Sequence, residues 1–593
     1  MLSTNNGCDE VCMACDTDVV THTVCVHGEC NATSLLTNQC PSIVTTVISS
    51  VSSLPAVHAI LYDKVAPITP VMDVELADTV KNVLHTQPTI ITTDHRNNNN
   101  DKNDNDNNNN ARCFDWRTFW KFTGPTWLVA CAYIDPGMIQ ADLSQGAYTG
   151  YQLLWVTFWS TVVGFLFQTL AARIGVVMNT DLATATRLAY PRRELHLIVW
   201  LFMELAIIGC DIQAVIGTAF ALNIVSGIGF WQACLITTAI CLPVTILYHW
   251  RGSWVEAMAA GCIGVVAICY VVQLGISGTA VDQMFIGWWV PKSQDYAQLM
   301  ALGTVGSVIM PNVIFLHSHL VLSRGIDRSS PTQIQQANKY NTIDTGIGMG
   351  TSFIVNLCIV CVFAAGFFDE TCAQQGLAMV GGQCDTIGLD GVGDTLHSVW
   401  GSASKYVFAV GMILSGVASV ISSTLCSQVI MEGLVQIRMS FTARMCLTRG
   451  VTLIPTLALC LIYGTSANSL SILNQWINIG MSLVLPFAMV PVLHISDNST
   501  TMHTFANGRL ISTIAWLIVV IVLGVNFYLI LGFIYLPEVM GSLSSFQPTP
   551  LFYTCVGAAL VLYTYYIWVL MRLDIHRFFK YVSSTFMGRC LCV

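Results

Sequence analysis

Charged residues are scarce in this sequence: Asp, Glu, Lys and Arg make up 10% of 593 residues, against roughly a quarter in a soluble globular chain. With so little charge, 54% hydrophobic residues and a mean hydropathy of +0.62, the chain belongs in lipid. Other absences narrow the function. There is no Gly-rich phosphate cradle, nucleophile elbow or protease zinc helix, which argues against an enzyme and against a bound cofactor. A net charge of −9 offers nucleic acid no basic surface. No basic-then-apolar leader opens the chain, so the first membrane span is expected to direct insertion itself.

What is abundant is apolar sequence in membrane-length runs. These lie near 122–147, 151–176, 195–224, 229–249, 254–276, 298–323, 345–367, 404–430, 446–463, 470–493, 512–534 and 551–573. Each is long enough to cross a hydrocarbon core that needs about 20 residues, so an all-α membrane protein of about twelve spans is expected. Basic residues collect in alternate loops: Arg112, Arg117 and Lys121; Arg187, Arg192 and Arg193; Arg251; Arg324, Arg328 and Lys339; Arg438, Arg444 and Arg449; Arg509; and Arg572, Arg577, Lys580 and Arg589. The opposite loops hold little beyond Lys292 and Lys405. Because basic loops stay in the cytoplasm, both termini are expected there.

Three regions follow: an N-terminal tail, 1–110; a membrane domain, 111–573; and a short C-terminal tail, 574–593. The N-terminal tail ends in the Asn-rich run 97–110, too poor in apolar groups to offset chain entropy, and is expected to be disordered and cytoplasmic. Its Cys8, Cys12, Cys15, Cys25, Cys30, Cys40, His22 and His27 include one zinc-compatible pair, Cys12 and Cys15. No second close pair completes that pattern, and a reduced tail without a stable site is the simpler reading. Most of the 23 cysteines lie in spans or cytoplasmic regions, and for Cys372 and Cys384, together in a predicted outward loop, a disulfide and two free thiols are equally open. The sequons at Asn31 and Asn498 fall on the cytoplasmic side and read as unused. Cys590–Val593 fits a prenylation box only loosely.

Chemistry concentrates at two interruptions. The first span reads Ala132-Tyr133-Ile134-Asp135-Pro136-Gly137-Met138, a carboxylate beside Pro and Gly near mid-membrane. A charge there costs several kcal/mol and normally faces a cavity or a partner. Pro136 removes an amide donor and Gly137 permits unusual backbone, so carbonyls are freed next to the carboxylate. A Pro-kinked helix with an Asp satisfied by packing would carry the same motif. The sixth span reads Gly306-Ser307-Val308-Ile309-Met310-Pro311-Asn312, where Pro311 frees another carbonyl and Ser307 and Met310 fall on one helical face. Breaks five spans apart are what 5+5 inverted repeats predict, with substrate held between half-helices. A carboxylate, carbonyls and a thioether favour a transition metal over Mg²⁺ or Ca²⁺.

At these residues the chain resembles the Nramp family of metal-ion transporters. The resemblance runs from about Trp116 to Leu573, through Ala132–Gly137, Gly150–Trp155, Leu170–Gly175, Glu204–Asp211, Met310-Pro311, Leu316–Ser318 and Leu485–Ala488. It implies a LeuT-like fold and proton-coupled uptake of divalent metal such as Mn²⁺ or Fe²⁺ towards the cytosol. It also implies a ligand set of Asp135, Met310 and the carbonyls near Ala132 and Ser307, with Asn478 where the family commonly has Gln. Met138 stands where the family has a ligating Asn, and Asn312 where it has His. Glu204 and Asp211 match the family's proton route and Arg324 and Arg449 its basic partners, while a further acidic position is Ala214.

The departures bear on proton handling, because Asn312 cannot exchange a proton near neutral pH. Coupling is therefore expected to be altered, weakened or lost, with Asp135, Glu204 and Asp211 as the remaining carriers. If Met138 faces the site it adds a second thioether and favours softer ions such as Cd²⁺, Fe²⁺ or Cu⁺; if it faces lipid or protein it adds nothing. Two other readings stand: a sensor or signalling protein that keeps the fold without transport, and a proton-independent carrier of Mg²⁺ or a trivalent metal. A plasma membrane and an acidic endosomal or vacuolar membrane both fit.

Overall fold

The computed structural model describes residues 115–571, apart from 251, 327 and 329 and stretches within 376–400, 437–466 and 536–559. The tails 1–110 and 574–593, with their cysteines and the sequon at Asn31, lie outside the described residues, as does most of the predicted ninth span. Every other predicted span meets a helix.

The helices are α1 (Trp116–Phe122), α2 (Pro125–Ala132), α3 (Pro136–Thr149), α4 (Leu154–Met178), α5 (Leu182–Ala189), α6 (Arg193–Ser226), α7 (Phe230–Trp250) and α8 (Gly252–Ile276). They continue with α9 (Val281–Trp289), α10 (Gln298–Val308), α11 (Pro311–Leu320), α12 (Pro331–Phe367), α13 (Ser402–Ile430), α14 (Ala467–Val484), α15 (Pro486–Ser496), α16 (Arg509–Tyr535) and α17 (Leu560–Met571). Among the described residues, seven helical segments are long and apolar enough to cross a membrane. Span one falls short of that length because it is divided into α2 and α3.

Proline placement explains the divisions. Pro136, Pro311 and Pro486 each sit at the first turn of a helix, where the missing amide costs nothing, and each ends the helix before it. α12 starts fourteen residues before the predicted span: its polar first turns, Pro331–Asp344, continue the helix although hydropathy marks only the apolar part. Burial separates interior from rim. The window Ser471–Ser496 is 89% buried and the one in α16 only 28%, so α14–α15 are wrapped by protein while α16 presents its sides to lipid.

Three features were not expected from the sequence. α5 and α9 fill loops between spans, and a two-stranded antiparallel hairpin, β1 (Ala378–Val380) with β2 (Gln383–Asp385), closes the loop after α12. In that loop Cys372 and Cys384 are disulfide-bonded. On α9, Trp288 and Trp289 pack with Phe158 of α4, and Trp288 with Phe353 of α12, an aromatic cluster of the kind found at a membrane–water interface.

Small residues let the helices approach closely, as membrane helices require. Gly306 of α10 lies against the main-chain oxygen of Asn478 in α14, and Gly217 of α6 against the Pro136 ring, so a Cβ at either place would overlap its neighbour. Gly350 of α12 has open space instead. We therefore expect Gly306→Val to destabilise the detergent-solubilised protein by about 1–3 kcal/mol, the usual cost of overpacking, seen as a lower melting temperature than Gly350→Val. Equal melting temperatures would show that α10 and α14 do not meet this closely.

Candidate metal site

Each break frees one particular carbonyl. In a continuous α-helix the C=O of residue i accepts from the N–H of residue i+4. For Ala132 that residue is Pro136 and for Ser307 it is Pro311, neither of which has an N–H. The residues expected to supply carbonyls are thus the last of α2 and the last but one of α10. The non-helical residues themselves lie slightly further on, at Tyr133–Asp135 and Ile309–Met310. Asn312, expected in the second break, is instead inside the first turn of α11.

Asp135 occupies the first break as the N-cap of α3: its Oδ1 accepts the Met138 N–H at 2.6 Å. The helix amides and dipole stabilise negative charge there. The residue is 0% exposed and its Oδ2 has no hydrogen-bond partner. A buried carboxylate oxygen without a donor is costly, and a cation would relieve it. Met138 is buried beside it, and Met310 is buried as the N-cap of α11. α2 packs on α11 and α3 on α10, so the two breaks lie together. The neighbouring Ile134 carbonyl accepts from the Ser415 hydroxyl of α13, which closes that part of the break.

Asn478 is engaged elsewhere than on the carboxylate. Its Oδ1 accepts from Gln213 Nε2 at 2.8 Å, and the same nitrogen donates to the Asn474 carbonyl at 3.2 Å. Asn474 Nδ2 in turn donates to the Gly137 carbonyl at 3.2 Å, and Gln140 Nε2 donates to Ser471 Oγ at 2.7 Å. These neutral bonds clasp α3 to α6 and α14, and a Cβ on Gly137 would strike Gln213.

The acidic residues of span three have partners on α13. Ser427 Oγ donates to Glu204 Oε1 at 2.8 Å, and Ser423 donates to Asp211 Oδ1. Ala214, where an acid was expected from the resemblance, sits in a small apolar contact with Val420. Arg324 lies in a short 3₁₀ turn after α11, and Asp344 of α12 accepts from Thr123. Arg449 lies outside the described residues.

Sequence reasoning missed Gln213, Ser423, Ser427, Cys210, Cys426 and Asp142. The pairing of Ser423 and Ser427 with acids on another helix depends on how α6 and α13 face each other and left no signal in the sequence. Asp142 lies two turns beyond Asp135 on α3, is 0% exposed, and has no hydrogen-bond partner for either carboxylate oxygen. Among the described residues no three His, Cys, Asp or Glu side chains are grouped to hold a metal.

The chain matches the natural resistance-associated macrophage protein-like family over residues 126–532. It is similar to "Metal transporter Nramp3.2" of Populus trichocarpa, at 35% identity over 71% of this chain and 82% of that one. It is also similar to "Metal transporter nramp1 homolog" of Dictyostelium discoideum, at 38% identity over 71% and 77%. A crystal structure of the Eremococcus coleocola manganese transporter superposes with a TM-score of 0.65 at 26% identity, over 78% of this chain and 94% of that one. The two broken helices, the buried carboxylate at their junction and these likenesses agree: the fold is LeuT-like, and the chain belongs to the Nramp family of integral-membrane metal transporters.

Proposed function

We propose that this chain moves divalent transition-metal ions, Mn²⁺ or Fe²⁺ with Cd²⁺ also accepted, towards the cytosol by alternating access. The observation that carries the reading is Asp135: a fully buried carboxylate with one unpartnered oxygen at a proline break, with Met310 capping the helix after the second proline break. The carboxylate supplies charge and Met310 a soft donor, while the carbonyls of Ala132 and Ser307 replace water around the ion. Asp142 extends the line of carboxylates along α3 away from the break. Basic loops on one side and the Cys372–Cys384 bridge in a loop of the other support cytoplasmic termini and inward transport.

Proton coupling is altered in this reading, because Asn312 and Ala214 replace titratable groups. Glu204 and Asp211, each held by a serine of α13, form the remaining proton path. Arg324 and Arg449 are its proposed basic partners. The clasp between α3 and α14 closes one end of the site and has to part for the ion to enter from that end.

In proteoliposomes, Asp135→Ala should abolish uptake of Mn²⁺, Fe²⁺ and Cd²⁺, with the native chain showing no uptake of Mg²⁺. Correctly folded native protein that carries no ion would favour the sensor reading, and Mg²⁺ uptake would favour the hard-ion carrier. Asp211→Asn should reduce the dependence of metal-driven current on an inward proton gradient, and an undiminished dependence removes Asp211 from the path. Met138→Asn should lower Cd²⁺ uptake relative to Mn²⁺; an unchanged ratio means that the Met138 sulfur does not face the ion.

A further inference from the structure

In the proposed topology the loop after α12 faces away from the cytoplasm, and it returns across the end of α3. Its short helix Glu370–Ala373 and strand β1 pack against α3, and the Phe368 ring lies against Gly150, the residue that ends that helix. The firmest link comes three residues after Cys384. The Tyr148 hydroxyl of α3 donates to the Ile387 main-chain oxygen at 3.1 Å and accepts from the Ile387 N–H at 3.0 Å, so one side chain meets both polar main-chain groups of a buried residue. The Cys372–Cys384 bond fixes where Ile387 stands. It ties the short helix, whose amides Asp369 caps, to β2, where Cys384 pairs with Met379 of β1. All three residues of β2 are exposed, and a lone two-stranded hairpin is marginal by itself, so the covalent bond rather than apolar burial holds that strand in place.

We propose that this segment is a redox-sensitive strap on α3: the Cys372–Cys384 bond holds Ile387 against Tyr148 and keeps the outer half of span one seated, and its reduction loosens α3 and eases ion entry. The clasp from Gln213, Asn474 and Gln140 holds α3 near the break, and the strap holds its far end. Both restrain the same half-helix. Cys384 is exposed while Cys372 is buried, so a thiol reductant reaches the Cys384 sulfur. A thiolate of a small dithiol bonds to Cys384 Sγ as the protein S–S bond breaks, and Cys372 leaves as a thiolate that takes up a proton. The second thiolate of the reductant then closes on the first and releases Cys384 as a thiol. The protein disulfide gains two electrons and the dithiol becomes a disulfide. This inference rests on the transport reading and names a regulation of it.

The test compares the full-length native protein with Cys372→Ser/Cys384→Ser and with Tyr148→Phe in proteoliposomes, before and after treatment with dithiothreitol that is removed before Mn²⁺ is added. One net hydrogen bond is worth roughly two- to tenfold in a population, so reduction of the native protein should raise initial Mn²⁺ uptake within that range. Amide hydrogen exchange in the last turn of α3 should quicken by a similar factor. Both variants should already stand at the raised level and ignore dithiothreitol, the first because it has no bridge to reduce and the second because the bridge no longer reaches α3. Unchanged uptake on reduction of a native protein that transports would overturn the strap alone, as would a Tyr148→Phe protein that responds to dithiothreitol as the native one does. Faster exchange on reduction, with no ion carried in any state, upholds the hold on α3 and removes the transport reading.

Discussion

Two prolines at membrane depth set the terms for the rest of this structure. Pro136 and Pro311 cannot donate to the carbonyls of Ala132 and Ser307, and in a bilayer an unsatisfied carbonyl costs several kcal/mol unless protein, water or an ion meets it. The structure answers by burying both breaks in the interior and surrounding them with α6, α12, α13 and α14. A further carbonyl in the first break, that of Ile134, is met by the Ser415 hydroxyl. The capped carboxylate of Asp135 keeps an oxygen that nothing meets. A site of this kind is held open by backbone geometry, so under the proposed function a cation would need no cluster of ionisable side chains.

The same constraint governs the seam between α6 and α13. Acidic residues on a buried helix face need donors, and here serines supply them: Ser423 for Asp211 and Ser427 for Glu204. Neutral donors hold a carboxylate in place without fixing its protonation state, as an arginine would. Under the proposed function these two acids carry the protons that Asn312 cannot.

The parts that were legible in the sequence are those written locally. Asp135-Pro136-Gly137 and Met310-Pro311 announce broken helices because proline's effect is confined to its own turn, and apolar runs announce spans because a bilayer has a fixed thickness. The polar start of α12 was missed because hydropathy does not register a helix that leaves the apolar layer. Pairings between distant segments were invisible for a different reason. Nothing around Asn478 indicates that Gln213 takes its oxygen, and nothing around Asn312 indicates thiols from both α6 and α13. Such contacts depend on how helices rotate against one another, which one chain's periodicity leaves undetermined when every face of a span is apolar.

The clasp that joins α3, α6 and α14 bears on how the proposed transport would proceed. Gln140–Ser471, Asn474–Gly137 and the bonds of Gln213 are all neutral hydrogen bonds. Each contributes about 0.5–1.5 kcal/mol net, so together they amount to a few kcal/mol, comparable with the roughly 5.5 kcal/mol of differential ligand affinity that inverts a two-state population. Ion pairs buried at the same place would resist opening far more, because separating them leaves charges in low dielectric. Amides and hydroxyls can exchange partners with water as the gap widens. In the proposed transport cycle, contacts of the ion with Asp135 and Met310 would then decide which side is open, as alternating access around a fixed site requires.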